Sequence, residues 1–186
     1  APDKFKNSLT GIEFCNAVAL GIQSIMPNID IVKLPLADGG DGTIEVVNYY
    51  LKGEIVYVTV NNPFFKPIKA SYLYNEKSKT ACIEMAEASG VKLLKPEQFD
   101  CKNATTLGTG EMIVDAINKG AQKIILGIGG SATNDCGIGM ATALGYRFLD
   151  NNKNEVKPIG ANLSQIESID ISNVDDRLYK IDFSVA

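Results

Sequence analysis

Two spacings of apolar residues organise the chain. Leu9, Ile12, Cys15, Ala19 and Ile22 recur every three or four positions, the period of a helix that buries one stripe, and Ser8 stands where its cap belongs. The same period predicts helices over 8–26, 43–51, 110–119 and 137–144, the third burying Met112, Ile113, Ala116 and Ile117. Short apolar runs rich in β-branched residues predict strands over 29–34, 55–60, 68–74, 80–85, 123–128, 146–149 and 180–185. The polar stretch 75–79 joins two of these as a hairpin, so the middle of the chain is at least partly antiparallel. Elsewhere strands alternate with helices, the order of parallel units. The expected fold class is therefore α/β and two-lobed, with a mostly parallel Rossmann- or flavodoxin-like sheet and a mixed-sheet lobe, divided near 1–100 and 101–186 and incomplete at both ends.

Three of the predicted helices open from glycine-rich loops. Residues 36–43 read Leu36, Ala37, Asp38, Gly39, Gly40, Asp41, Gly42, Thr43 after an apolar run; residues 105–111 contain Thr105, Thr106, Gly108, Thr109 and Gly110; residues 127–135 contain Gly127, Gly129, Gly130, Ser131, Thr133, Asn134 and Asp135. Glycine lets main-chain N–H groups approach an anion without a Cβ in the way, and the turn after a parallel strand is where ligands bind in open α/β sheets. Carboxylates in such loops suit Mg²⁺. Each loop also has a plainer reading as a tight turn with a capping Asp or Thr.

Composition narrows the chemistry. Hydrophobic residues make up 45% and charged residues 22%, the balance of an ordinary globular domain and the wrong one for a disordered or fibrous chain. No apolar run reaches membrane-spanning length, and a net charge of −4 offers no basic field for nucleic acid. Cys15, Cys82, Cys101 and Cys136 lack paired metal spacing and read as reduced thiols, which predicts a cytoplasmic location. The absence of histidine removes Ser-His-Asp triads and His-ligated zinc from this chain. Carboxylates, lysines and backbone groups remain, an inventory suited to phosphoryl transfer, although no Walker loop or protein-kinase signature is present.

The motifs Ala1-Pro2-Asp3-Lys4-Phe5-Lys6-Asn7-Ser8-Leu9, Pro35 to Thr43, Ile83-Glu84-Met85-Ala86, Thr105 to Glu111 and Gly127 to Asp135 resemble, in order, those of the bacterial glycerate kinase family. The chain departs from that pattern at Lys4, Asn7 and Asp41, where the family more often carries Ser, Gly and Glu. The resemblance implies an ATP- and Mg²⁺-dependent kinase of two α/β domains that phosphorylates glycerate at the 2- or 3-hydroxyl. Family members run much longer, so it also implies that this chain matches an N-terminal half whose C-terminal half is its partner.

On that resemblance Asp38 and Asp41 are candidates to bind Mg²⁺ or orient the glycerate hydroxyl, Lys6 to neutralise phosphate, and Asp135 to act in catalysis or ligate metal. Gly39, Gly40, Gly108, Gly110, Gly129, Gly130, Ser131, Thr133 and Asn134 are candidates to cradle nucleotide or substrate. Glu84 ends a buried-looking strand, where an unpaired charge would be costly, so it is expected to be paired or hydrogen-bonded. A competing reading is an NAD(P)-dependent oxidoreductase. Gly127, Gly129 and Ala132 satisfy a G-x-G-x-x-A turn after a strand, and Asp150 ends the next predicted strand where a ribose-binding acid belongs.

Overall fold

The computed structural model describes Phe5 and residues 8–186. Helix α1 (Gly11–Ile25) begins two residues later than a Ser8 cap would place it: Thr10 is the cap, its Oγ1 accepting from Glu13 N at 3.2 Å while Glu13 Oε2 accepts from Thr10 N at 2.8 Å. That reciprocal pair satisfies two orphan donors at once, which a lone Ser8 cannot do. Helix α2 (Thr43–Leu51) follows the first glycine loop.

Strands β1 (Glu54–Asn61), β2 (Pro67–Asn75) and β3 (Thr80–Glu84) form an antiparallel meander, the second turn being the expected hairpin. A short helix α3 (Ala86–Ser89) and a 3₁₀ turn (Val91–Leu93) lead towards α4 (Leu107–Asn118) and then β4 (Lys123–Gly127). Helix α5 (Ile138–Ala143), the hairpin of β5 (Arg147–Leu149) with β6 (Ser168–Asp170), and β7 (Asp182–Val185) complete the order. Among the described residues the main sheet runs β1-β2-β3-β4-β7, with β4 parallel to both β3 and β7. The chain is thus α/β with a mixed sheet. Strands from both sides of position 100 pair directly, Cys82 opposite Ile125, so 100/101 does not separate two sheets.

The core lies where the sheet meets α4. Tyr72, Tyr74, Ala81, Ile83 and Ile124 alternate onto one sheet face and bury fully against Met112, Ile113, Ala116 and Ile117, the face the helical period predicts. Each such aliphatic side chain contributes about 1.5–3 kcal/mol on burial. Leu73 and Cys82 alternate to the opposite face and are also fully buried, where α2 packs on β2 and β3. Burial pushes the Cys82 thiol up to about 12, and all four cysteines are free.

Two predicted strands come out differently. Residues 29–34 form no strand despite their apolar pattern: Val32 is 80% exposed, and no described strand lies alongside to complete a ladder. The run at 146–149 does form β5, but it pairs with β6, which no sequence pattern announced, rather than joining the main sheet. No helix among the described residues is long and apolar enough to cross a membrane.

Candidate active site

The C-terminal ends of parallel strands β3, β4 and β7 meet at one edge, and the first glycine loop is laid across them. Gly129 N donates to Gly39 O at 3.0 Å, and Ile128 N donates to Ala186 O at 3.2 Å. A Cβ on Gly127 would sit 2.5 Å from Gly39 O, and one on Gly129 would sit 2.6 Å from Gly40 Cα. Loops 36–43 and 127–135 therefore touch backbone to backbone, and any side chain at these two glycines would prise them apart. This is the strand-end position at which open α/β sheets bind ligands.

Glu84, at the end of β3, joins loop to sheet. Its Oε1 accepts from Ile44 N, in the first turn of α2, at 2.7 Å. The contact satisfies an orphan donor and sets negative charge at a helix N-terminus. Burial pushes the carboxyl above its usual range, against the opposing pull of Ile44 N–H and the Lys92 ammonium. The expected pairing of this buried acid is met by a backbone amide.

A cleft of about 360 Å³ opens between loop 36–43 with α2 on one side and the start of α1 on the other. Asp38, Asp41, Glu13, Glu45, Thr10 and Thr43 supply its polar lining. Asp38 Oδ1 accepts from Gly40 N at 2.9 Å, which closes a tight turn and holds the carboxylate at the exposed loop tip. Asp41 lies on the loop's inner side, its carboxylate 3.8 Å from where a Gly130 Cβ would be. Lys6 lies outside the described residues; Phe5 and Ser8 line the cleft. Sequence reasoning missed Glu13 and Glu45. The Thr10-x-x-Glu13 capping box was a readable signal for the first, since it places Glu13 at a helix start.

The third glycine loop bends inward after Gly130. Ser131 Oγ and Thr133 Oγ1 face each other at 2.8 Å, Thr133 N donates to Ser131 Oγ at 3.0 Å, and Asn134 is exposed. Asp135 is 2% exposed and holds four donors: its Oδ2 accepts from Thr106 N and Oγ1, both at 2.8 Å, and from Gly139 N at 3.2 Å, while Oδ1 accepts from Gly137 N at 3.1 Å. Thr106 Oγ1 in turn accepts from Met140 N at 2.8 Å. Asp135 thus brackets the starts of α4 and α5 together.

Gly108 and Gly110 are likewise taken up by packing. They lie inside α4, which begins at Leu107, ahead of the predicted start at 110. A Cβ on Gly108 would come within 1.9 Å of Asn61 O, and one on Gly110 within 2.4 Å of Met140 O. The dinucleotide reading loses its geometry too. Ten residues separate Gly127 from α5, and Asp150 sits in the connection between β5 and β6, accepting from Asn152 N and Asn154 N at 2.8 Å, away from any strand next to β4.

Among the described residues no group of three or more Cys, Asp or Glu side chains is gathered tightly enough to cage a metal ion. Mg²⁺ does not need such a cage, since it commonly takes one or two carboxylates and fills its remaining positions with water and substrate phosphate. Asp38 and Asp41 fit that mode; Asp135 has its oxygens engaged by the fold.

Comparison with known proteins bears directly on this geometry. The model of the glycerate kinase family matches residues 1–186. The chain is 45% identical over its whole length to a glycerate kinase of Bacillus subtilis, covering 49% of that protein. It is 43% identical over 178 residues to a glycerate 2-kinase of Escherichia coli, covering 96% of this chain and 47% of the relative. A crystal structure assigned to glycerate kinase 2 of Salmonella typhimurium LT2 superposes with a TM-score of 0.90 at 44% identity, over all of this chain and 50% of that one. The chain spans about half the length of the curated relatives it matches.

Proposed function

Because the chain belongs to the glycerate kinase family, we propose that its strand-end cleft is part of the active site of an ATP-dependent kinase that phosphorylates D-glycerate. The observation that carries this is the docking of loop 36–43 onto the Gly129 turn, which brings exposed acids, backbone amides and strand ends to one place. Phosphoryl transfer asks a protein chiefly to position its reactants and neutralise charge, and this cleft offers groups for both.

In this reading Asp38, at the exposed loop tip, orients the reacting hydroxyl and receives its proton. Asp41 would hold Mg²⁺. The ion, when bound, would neutralise charge on the phosphoryl group. Backbone amides of Gly39 and Gly130, with the hydroxyls of Ser131 and Thr133, offer donors to phosphate or to the glycerate carboxylate, while the Gly129 and Gly40 amides are taken by Gly39 O and Asp38 Oδ1 and shape the two loops. The E. coli relative's name favours the 2-hydroxyl, giving 2-phosphoglycerate; the 3-hydroxyl is the alternative the assay must separate. The remaining length found in relatives would complete the site and cover apolar residues such as Val32, Leu34 and Leu36, which are 80%, 49% and 52% exposed.

The test is a product assay on the complete polypeptide with ATP, Mg²⁺ and D-glycerate, read by phosphorus NMR so that the position of transfer is seen. Asp38→Asn is expected to lower kcat by about 10²-fold or more, with little change in melting temperature. NAD⁺ or NADH turnover without ATP consumption would overturn the reading, and unchanged kcat in Asp38→Asn would return that residue to turn formation.

A further inference from the structure

A cation from the 3₁₀ turn reaches the acid loop. Lys92, on the 3₁₀ turn after α3, places Nζ 3.3 Å from Asp41 Oδ1 and pairs with Glu87 Oε1 as well. Glu87 is itself held, its Oε2 accepting from Ser71 Oγ on β2 at 3.2 Å. The turn that carries Lys92 is pinned to the third glycine loop: Val91 N donates to Gly130 O at 2.9 Å, and Gly90 bridges Ser131. Lys92 is therefore anchored by its backbone to one glycine loop and reaches by its side chain to the acid of the other. It does not line the cleft itself.

From this arrangement we infer that Lys92 is a positioning residue for Asp41, holding that carboxylate against the Gly130 turn through the path Ser71, Glu87, Lys92, Asp41. The inference rests on the reading of Asp41 as a site residue. Loop 36–43 has no regular structure before Thr43, and the Asp41 side chain is 53% exposed, so each contact with a fixed group narrows the rotamers its carboxylate samples. Lys92, a charged partner with its own fixed support, is such a contact, as the outer partners of metal ligands and catalytic acids are.

The experiment compares Lys92→Met, Lys92→Arg, Asp41→Asn and the Lys92→Met/Asp41→Asn double variant in the complete kinase, with kcat, KM for each substrate and melting temperature measured for all. Lys92→Met is expected to lower kcat by about 10- to 100-fold with KM and melting temperature near wild type. Lys92→Arg should recover most of that loss, and the double variant should be no slower than Asp41→Asn alone, because both changes act through one carboxylate. Full activity in Lys92→Met beside a slow Asp41→Asn would overturn the inference and leave the active-site reading intact. Full activity in Asp41→Asn would overturn the role of Asp41 and this inference with it. Multiplying losses in the double variant would show Lys92 acting independently of Asp41. If Asp41→Asn is too slow to measure, the arginine variant decides: failure to recover kcat, or a melting temperature that falls in step with kcat, rejects the positioning role.

Discussion

Residues 29–51 and 123–143 carry the same outline, an apolar run, a glycine loop with an aspartate, and a helix, yet the fold treats them in opposite ways. The run at 123–127 is a strand between two parallel neighbours, with Ile124 fully buried; the run at 29–34 is no strand, and its Val32 is 80% exposed. Asp135 is sealed beneath four donors, whereas Asp38 stands exposed at a turn. A glycine loop with an acid is therefore two different devices. Where the surrounding chain closes over it, the acid replaces missing helix hydrogen bonds; where the chain leaves it open, the acid stays at the surface.

The largest expected effect tests that division at the aspartates. Asp135→Ala strands the amides of Thr106, Gly137 and Gly139, and should destabilise the fold by about 4 kcal/mol. Asp38→Ala should cost about 1 kcal/mol or less, the worth of a turn or cap. Urea denaturation of both variants checks the contrast, and equal losses would erase it. Amide exchange at Thr106 and Gly139 should quicken in the first variant and not in the second.

A second test compares the apolar runs of the two regions with the sheet core. Ile83→Ala, at a fully buried site, should cost about 3 kcal/mol. Val32→Ala should stay within about 0.5 kcal/mol in the 186-residue chain. The comparison sharpens in the complete polypeptide, where a larger cost at Val32 would support cover by the additional length that relatives possess. A large cost already present in the 186-residue chain would mean that 29–34 is packed by its own chain.

The smallest effect is a pH dependence at Glu84, where loop and sheet join. Its carboxyl lies above the ordinary 4.5 because burial disfavours the charge. The folded state therefore favours its protonated form, an advantage fully present below the ordinary value and lost as pH rises through the elevated one. Glu84→Gln has no such titration. The stability of wild type relative to this variant should fall as pH is raised from 4 and then level off, seen in paired melting curves. A difference that is flat or rises with pH would show that the helix N-terminus and Lys92 outweigh burial.

Much of this was legible in one dimension because periodicity records which face an element buries. Met112, Ile113, Ala116 and Ile117 could be read as the inner face of α4, and Asn75 to Lys79 as a hairpin, since both follow from contacts close in sequence. Asp38 and Asp41 also stood out, because carboxylates among glycines are unusual wherever they fall. The β5–β6 pairing was hidden, each strand being three residues long and too short to show a period.

The amino-acid order alone determined the alternation of elements, the α/β class, the family and the loops where glycines and carboxylates gather, because spacing, glycine and charge act locally. Only the tertiary structure decided which loop faces solvent, that Gly108 and Gly110 serve close packing, that Asp135 is a bracket, and that Lys92 reaches Asp41 across 51 positions of chain. Those outcomes depend on which distant segment closes over each group, and a periodic pattern shows that a face is buried without saying which segment covers it.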